Sequence, residues 1–267
     1  MLYLRLEDHR LILADYSRAA TQQPDSHAIL TLVEHPLKPG LSLPQNLHTA
    51  RMQHEIFQKS GQMEVIVNGP TTLVPVSEYE DASESLVFKS CFSVAGENAF
   101  RVLADNIPQL RTMLIFGVRQ KVAEAIANEF QDCDVHYTSA TSLLLRRFAL
   151  HDFPLQHRRI YLNCREGFMD VAAFTERQLA ACCTYETSTP NDAVYYTLAL
   201  SKALGFKTKE TRYILTGNNS LCKETLAALQ HFVADTALRT LTDEFGQRPI
   251  TRHPAVPYDL GLMLLSH

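Results

Sequence analysis

Histidine and cysteine are the residues of this chain that most readily support catalysis or metal binding, and the spacing of the histidines favours neither. His54-Glu55 begins like the helix motif of zinc proteases, but Gln58 stands where the second histidine belongs. The eleven histidines include no pair four residues apart. The chain also lacks the GxSxG turn of serine hydrolases and the Gly-Lys-Ser/Thr ending of a P-loop. No catalytic residue and no metal site is therefore predicted.

The six cysteines form no CxxC pair and mostly lie in apolar surroundings, at Cys91, Cys133, Cys164, Cys182, Cys183 and Cys222. This pattern predicts reduced, buried thiols rather than a disulfide framework. Cys182 and Cys183 are adjacent on a predicted strand, so their side chains should point to opposite faces and should not share a metal. Reduced thiols, and charges too early in the chain for a signal peptide, predict a cytoplasmic protein.

Two arginine pairs, Arg146-Arg147 and Arg158-Arg159, are the strongest local concentration of positive charge. They could form a basic patch for an acidic partner or for RNA, or they could simply be solvated. The net charge of −4 argues against nucleic acid as a partner, because phosphate contacts usually require a basic face. No apolar run is long enough for a membrane-spanning helix, so membrane insertion is not expected.

The stretch 160–184 is the clearest structural unit and reads as three short antiparallel strands. Alternating apolar residues predict strands at 160–164, 168–174 and 179–184, joined by short turns. A helix should follow at once, because Thr189, Pro190 and Asp192 supply a cap, a first-turn proline and a first-turn carboxylate. That helix should stop at Gly205.

The first half of the chain reads as strands that pass into strand–helix units. A hairpin is predicted at 2–13, a third strand at 28–34 and a helix at 45–59. Further strands are predicted at 63–68, 72–76, 87–94, 100–104, 112–118 and 133–137, and helices at 119–130 and 142–150. The proline-containing segment 152–159 is the predicted linker, which divides the chain into domains 1–155 and 156–267.

The second half repeats this order of elements. After the meander and its helix come a predicted strand at 212–215, a turn at 216–219 and a helix at 220–234. A further strand near 238–241 and a short helix at 258–265 complete the chain. Each half thus begins with strands joined by short turns and continues with strand–helix units. The two halves are predicted to be versions of one plan.

This plan, with the segment YILTGNNSL at 213–221, resembles the actin-like ATPase superfamily. More closely, the whole chain resembles a bacterial family of uncharacterised proteins with an actin-like fold. The resemblance implies an α/β (mixed α+β) protein of two similar actin-like, ribonuclease H-like domains. Each would be a mixed sheet flanked by helices, and the two would face a cleft. In active members of the superfamily, each domain places an Asp-x-Gly turn at the phosphates of ATP, and a Thr-Gly-Gly segment holds the adenosine.

The resemblance places five residues at this degenerate nucleotide cleft: Asp8, Asn163, Arg165, Gly217 and Asn218. Asp8 stands for the first signature aspartate, but no glycine follows it. Asn163-Cys164-Arg165 falls where the second Asp-x-Gly would be, so a carboxylate and a glycine are both missing there. Glycine matters at these turns because backbone N–H groups must approach phosphate closely. Gly217 is retained, and Asn218 tolerates the positive φ expected of a second glycine.

Two functional hypotheses follow from these matches. The first is a non-enzymatic interaction or assembly module on a scaffold whose nucleotide site has decayed, with no cofactor. Its expected partner is another protein, and homo-oligomers are allowed. The alternative is a divergent nucleotide-binding ATPase or phosphotransferase that uses ATP and Mg²⁺ in the interdomain cleft. The missing glycines favour the first hypothesis.

Overall fold

A computed structural model describes residues 1–17, 29–59, 61–92, 99–152, 157–175, 178–217 and 220–265. The chain divides into two compact units, Met1–Leu143 and Leu144–His267. This division falls within the helix Ala140–Asp152. The segment 152–159, predicted as a linker, begins at the last residue of that helix, and its residues 153–156 lie outside the described ranges. A domain boundary between residues 155 and 156 stays a prediction.

The first unit is built around a five-stranded mixed sheet. Its elements are β1 (Leu2–Leu6), β2 (Arg10–Ser17), β3 (Ile29–Pro36), α1 (Leu43–Gln53), β4 (Gly61–Val67), β5 (Thr71–Pro75), α2 (Glu84–Cys91), β6 (Phe100–Ile107), β7 (Thr112–Arg119), α3 (Gln120–Glu129) and β8 (Cys133–Ser139). The strand order is β3-β2-β1-β4-β8. Strands β1, β2 and β3 form an antiparallel meander, and β4 and β8 run parallel to β1. Strands β5, β7 and β6 form a separate antiparallel sheet.

The prediction of a strand at residues 87–94 is wrong, because the structure has helix α2 there. Phe88 is the one buried residue of this helix, and its ring lies 4.8 Å from Phe92 and 5.5 Å from Phe100. Phe88 and Phe92 are four residues apart, which suits one face of a helix as well as one face of a strand. Glu84 in the first turn and Lys89 in the last turn also favour a helix.

The second unit repeats the sheet of the first. Its elements are α4 (Ala140–Asp152, which begins in the first unit), β9 (Arg158–Arg165), β10 (Phe168–Phe174), β11 (Leu179–Glu186), α5 (Pro190–Ala203), β12 (Thr211–Thr216), α6 (Ser220–Leu229), β13 (Thr236–Arg239), α7 (Leu241–Phe245), α8 (Pro249–Arg252) and α9 (Tyr258–Leu265). The strand order is β11-β10-β9-β12-β13. Strands β9, β10 and β11 form an antiparallel meander, and β12 and β13 run parallel to β9. Sheet order and strand directions are therefore the same in both units.

The predicted start of helix α5 is confirmed in detail. The hydroxyl of Thr189 accepts a hydrogen bond from the Asp192 N–H at 3.2 Å, and the Asp192 carboxylate accepts one from the Thr189 N–H at 2.8 Å. This reciprocal capping is worth about 1 kcal/mol and fixes how α5 leaves the meander. Gly205, with φ +66°, follows the end of the helix.

The core of the second unit lies on one face of its sheet. Alternate strand residues such as Leu162, Val171 and Leu215 are buried there together with residues of α5 and α6. The opposite face carries Tyr161, whose ring stacks on Phe148 of α4 at 4.2 Å. Both faces of the sheet are therefore covered, as expected for an α/β arrangement. In neither unit does a helix of the described residues reach the length and hydrophobicity needed to cross a membrane.

Candidate functional site

A row of polar side chains crosses the second sheet at the place where the sequence lacks its Asp-x-Gly turn. The strand registers set Thr184 of β11 opposite Asp170 of β10, Asp170 opposite Asn163 of β9, and Asn163 opposite Thr216 of β12. Residues opposite one another on neighbouring strands project from the same face, so these four side chains lie side by side. We call them the polar row.

Asp170 is the centre of the polar row and is 7% exposed. Its Oδ1 accepts hydrogen bonds from the Thr184 hydroxyl at 2.8 Å and from Arg165 Nη2 at 3.1 Å. Its Oδ2 accepts from Arg165 Nε at 2.9 Å and from Asn163 Nδ2 at 3.3 Å. Four donors thus satisfy one buried carboxylate, which is what a buried charge requires.

Arg165 is held by this carboxylate and does not project alone from the turn. Its guanidinium grips Asp170 with two nitrogens and lies over the Phe168 ring, 4.6 Å from the ring centre. A planar guanidinium suits such a two-point contact and also stacks well on an aromatic face. The resemblance placed Arg165 at the nucleotide cleft, and the structure shows it in an ion pair with Asp170.

Asn163 is buried and fully engaged within the same row. Its Nδ2 donates to Asp170, and its Oδ1 accepts from the Thr216 hydroxyl at 3.1 Å. Arg165, beside the row, thus balances the charge of Asp170, while the Thr184 hydroxyl bonds to Asp170 and the Thr216 hydroxyl bonds to Asn163. A phosphate group would have to displace the Arg165–Asp170 pair to obtain donors here.

Gly217 follows the polar row directly and has φ +127°. A Cβ at this position would lie 3.0 Å from the carbonyl oxygen of Cys164, which is closer than side chains normally come to backbone. The glycine is thus required by the approach of this turn to strand β9, whether or not a ligand binds. Asn218 lies outside the described residues.

The first hairpin places Asp8 in an exposed two-residue turn. The Glu7 N–H donates to the Arg10 carbonyl at 3.0 Å, which leaves Asp8 and His9 at the tip. In the second hairpin Arg165 pairs with Phe168 around the tip Glu166-Gly167. Asp8 therefore corresponds to Glu166 of the second hairpin, and it does not occupy the position of Asn163.

Counting back from the two tips shows that Arg5 is the equivalent of Asn163. Arg5 pairs with Ile12 as Asn163 pairs with Asp170, and the preceding residues match as Tyr3-Leu4 and Tyr161-Leu162. Arg5 is only 1% exposed, and its guanidinium donates to the Leu6 carbonyl at 3.0 Å and to Asn68 Oδ1 at 3.2 Å. A buried arginine therefore stands at the position equivalent to Asn163, where the resemblance implies an aspartate.

Two residues of these sites, Asp170 and Arg5, were not predicted from the sequence. Each is a single charged residue within an otherwise mostly apolar strand, FMDVAAF for Asp170 and LYLRL for Arg5. A lone charge in a strand that is buried on both faces must find partners inside the protein. This pattern could have identified Asp170 and Arg5 from the sequence, whereas the identity of their partners depends on strand register.

The cysteines near the polar row are protonated structural thiols. A hydrogen bond with Cys222 and burial both raise the pKa of Cys164. Burial, together with the neighbouring Cys183 and Asp170, raises the pKa of Cys182 to about 12. Thiols that stay protonated are poor nucleophiles and poor metal ligands. Across the described part of the chain, no group of three or more His, Cys, Asp or Glu side chains could hold a metal ion.

The arginine pairs do not provide an open basic surface. Arg147 Nε donates at 2.7 Å to Glu244, whose side chain is 3% exposed, and its guanidinium lies over the Phe245 ring. Arg158 donates to the Gly205 carbonyl at 3.1 Å, and Arg159 is buried. Three of the four arginines are thus part of the structure of the second unit, which removes the basis for a basic patch.

Comparison with models of known protein families identifies the family of this chain. Residues 8–235 match the family described as "Protein of unknown function (DUF3822)". The chain belongs to the DUF3822 family. No curated protein matches the sequence significantly.

Two solved structures are similar to this DUF3822 protein over almost their whole length, and the first of them shows that it has an actin-like ATPase fold. One is a Bacteroides thetaiotaomicron protein described as having an actin-like ATPase fold and unknown function, with TM-score 0.76 and 18% identity, covering 98% of this chain and 94% of that chain. The other is a PilM-PilN type IV pilus biogenesis complex, with TM-score 0.62 and 11% identity, covering 99% of this chain and 97% of that chain. At these identities the likeness shows the fold and not the activity.

Proposed function

We propose that this protein is a non-enzymatic interaction or assembly module built on an actin-like ATPase scaffold. The Arg165–Asp170 ion pair is the observation that carries the proposal. It occupies the hairpin where the superfamily pattern has Asp-x-Gly, and it leaves no charge there unpaired. A site selected for ATP would instead keep an accessible carboxylate for the metal-bound water and free N–H groups for phosphate.

The first hairpin supports the same proposal. Arg5 stands at the place expected for the signature aspartate, is buried, and donates hydrogen bonds to the Leu6 carbonyl and to Asn68. Asp8 is exposed at the hairpin tip, and neither residue of the two-residue tip is a glycine. In both hairpins, the residues expected to contact phosphate are therefore replaced by residues that bond within the protein.

A binding role is compatible with this fold, since one of the similar solved structures is a PilM-PilN complex. A scaffold of this kind can thus serve in an assembly. We expect a protein partner, and a second copy of the chain is one candidate. The partner of this chain does not follow from that likeness, because the identity is 11%.

The competing function is a divergent nucleotide-binding ATPase or phosphotransferase, and one observation favours it. The Gly217 turn keeps its positive φ and its close approach to β9, so the segment expected to hold adenosine retains its shape. For this function the Arg165–Asp170 pair would have to open when a phosphate arrives. Nucleotide binding would then be sensitive to both residues.

Thermal denaturation with and without ATP and Mg²⁺ separates the two functions. A nucleotide at 100 times its dissociation constant would add about 2.7 kcal/mol to the free energy of unfolding. We expect no shift in the melting temperature of the wild type, of Asp8→Ala or of Arg165→Ala. A wild-type shift that disappears with EDTA, and that either variant abolishes, would overturn the proposal. Asp8→Ala is the cleaner variant because Asp8 is exposed and its loss should not affect folding.

The proposed place of action is the cytoplasm. None of the six cysteines forms a disulfide bond within the chain, which suits a reducing compartment. Fractionation of the native host, followed by detection of the protein, tests this location directly.

A further inference from the structure

Strand β11 is an open edge of the second sheet. Within the described ranges, β10 is the one strand that pairs with it. The Thr187 N–H donates to the Gly167 carbonyl, so hydrogen-bonded pairs of this ladder fall on odd-numbered residues of β11. The backbone groups of Cys182, Thr184 and Glu186 therefore point away from β10, toward the open edge.

The sequence of β11 does little to protect this edge. Its eight residues, LAACCTYE, contain no lysine and no proline, and the one charged residue is the last, Glu186. Edge strands of monomeric proteins are usually blunted by charges, prolines or bulges. The irregularity of the β10–β11 ladder lies at the start of β11, between Leu179 and Ala181, and leaves residues 182–186 in regular register. The corresponding edge strand of the first sheet, β3, carries Glu34 in an ion pair with Arg10 and ends in Pro36. The two edges are therefore not equally open to pairing.

An exposed aromatic surface adjoins the open edge. The Tyr185 ring of β11 stacks on Tyr196 at 4.6 Å, and Tyr196 meets Tyr195 at 5.4 Å. Tyr195 is 67% exposed. The backbone of the edge and the tyrosines of α5 thus form one continuous patch that offers hydrogen bonds and apolar area together.

We propose that a second copy of this chain pairs with β11 around a two-fold axis, which joins two five-stranded sheets into one. This inference rests on the proposed assembly function and names its partner. An antiparallel pairing centred on Thr184 sets Cys182 opposite Glu186 of the partner copy, so all three outward-facing residues are used on both sides. A single strand edge buries little area, and the tyrosine patches of the two copies add to it.

The charges of β11 are compatible with self-pairing. In this register the two Glu186 side chains lie four residues apart along the strands, a separation of about 14 Å. That distance exceeds the screening length of about 8 Å at physiological salt, so their repulsion is weak. The two Thr184 side chains face each other at the axis, where a lysine pair would repel.

Size-exclusion chromatography coupled to light scattering, which measures the molar mass of the protein in solution, tests the dimer. The wild type should give about twice the 30.1 kDa mass of one chain. Thr184→Lys should return the mass to one chain, and Thr184→Ala should leave the dimer intact. Both variants lose the hydrogen bond to Asp170, so their comparison isolates the effect at the edge. Thr31→Lys, which places the same charge on an exposed residue of β3, should not change the mass.

Hydrogen exchange of the peptide covering residues 179–186 supplies a second readout. Its amides should be more protected in the wild type than in Thr184→Lys, with circular dichroism showing both folded. A monomeric wild type, or a dimer that Thr184→Lys leaves intact, would overturn the inference. Either result could occur while ATP still fails to bind, so loss of this inference does not decide the question of nucleotide binding.

Discussion

The two five-stranded sheets share strand order and direction, but they fill the equivalent central row with different chemistry. In the second sheet this row consists of the polar row (Thr184, Asp170, Asn163 and Thr216) and its continuation on β13, Arg239. In the first sheet the equivalent row is Glu34, Ile12, Arg5, Ile66 and Thr138. The middle three residues are polar in one sheet, whereas a single arginine between two isoleucines stands in the other.

This difference shows that the shared fold depends on the apolar residues of the opposite sheet face rather than on the residues of this row. Arg5 donates to groups outside its row, the Leu6 carbonyl and Asn68, whereas Asp170 accepts from residues within and beside its own. The same architecture accommodates both arrangements of a buried charge, so it does not depend on one of them. What both sheets keep is the alternation of buried apolar residues on the other face, with Leu4 and Leu162 at equivalent places.

Replacing Asp170 should have the largest effect of the substitutions at this row. Asp170→Ala leaves Arg165 and Asn163 without their acceptor, and we expect the free energy of unfolding to fall by about 3 kcal/mol. Ile12→Ala at the equivalent place in the first sheet should cost a similar amount, but through a cavity rather than through unpaired charge. Urea denaturation measures both changes.

A double-mutant cycle separates these two causes. Arg165→Ala combined with Asp170→Ala should cost clearly less than the sum of the two single changes, because the second removes a charge already left unpaired. Arg165→Ala combined with Ile12→Ala should be additive, since these residues share no partner. Additive costs for Arg165 and Asp170 would mean that the ion pair contributes nothing and that the contrast between the rows has no energetic basis.

Much of the fold followed from the sequence because apolar periodicity reports directly on burial. The meander at 160–184, the cap at Thr189 and the final helix Tyr258–Leu265 were all expected, and all are present. Helix α2, predicted as a strand, buries a single phenylalanine, so its periodicity carried little information. Short segments with one buried residue are decided by tertiary packing rather than by pattern.

The candidate site was less accessible to prediction. Asn163, Arg165 and Gly217 were identified, and the structure brings them together around strand β9. The acceptor that joins the first two, Asp170, depends on which residue of β10 lies opposite Asn163. Register of this kind requires the exact length of the turn. Asp8 was selected because it is acidic and near a hairpin tip, but counting from the tip assigns the equivalent place to Arg5.

Gly217 gives a second and smaller contrast between the sheets. The equivalent position after Ile66 in the first sheet is Val67, a normal strand residue, whereas Gly217 has φ +127°. Gly217→Ala should lower the free energy of unfolding by about 2 kcal/mol, because backbone strain and the contact with the Cys164 carbonyl act together. Gly61→Ala is the matched control, since that glycine has φ +126° but open space around it.

The control should cost about 1 kcal/mol, which is the penalty for a left-handed backbone alone. Differential scanning calorimetry of the two variants measures the difference. Equal losses would show that the approach of the Gly217 turn to β9 is not a constraint. In that case the glycine would be better explained by a ligand that approaches the turn, which would strengthen the competing nucleotide function.

The smallest expected effect concerns pH and the third strand of each meander. His35 on β3 and Tyr185 on β11 occupy equivalent places, since their partners on the second strands are Leu11 and Met169. Burial of His35, aided by the charges of His54 and Lys38, lowers its pKa. Burial, together with a hydrogen bond to Cys183, raises the pKa of Tyr185, which therefore stays neutral at ordinary pH. Lowering the pH should therefore destabilise strand β3 of the first sheet and should not destabilise its equivalent, β11, in the second.

The sign of this pH effect follows from proton linkage. The unfolded chain binds a proton at His35 near pH 6.5, whereas the folded chain binds it only at lower pH. The contribution of His35 to stability is thus complete above about pH 6.5 and is lost as the pH falls toward the lowered folded-state pKa. The proton would be taken up beside His54, whose Nε2 lies 3.4 Å from His35 Nδ1. His35→Phe, which imitates the aromatic residue of the second sheet, should therefore flatten the decline in melting temperature between neutral and mildly acidic pH. Tyr185→Phe should leave that decline as it is in the wild type. An unchanged decline in His35→Phe would assign the acid sensitivity to other histidines and would remove this contrast between the two edge strands.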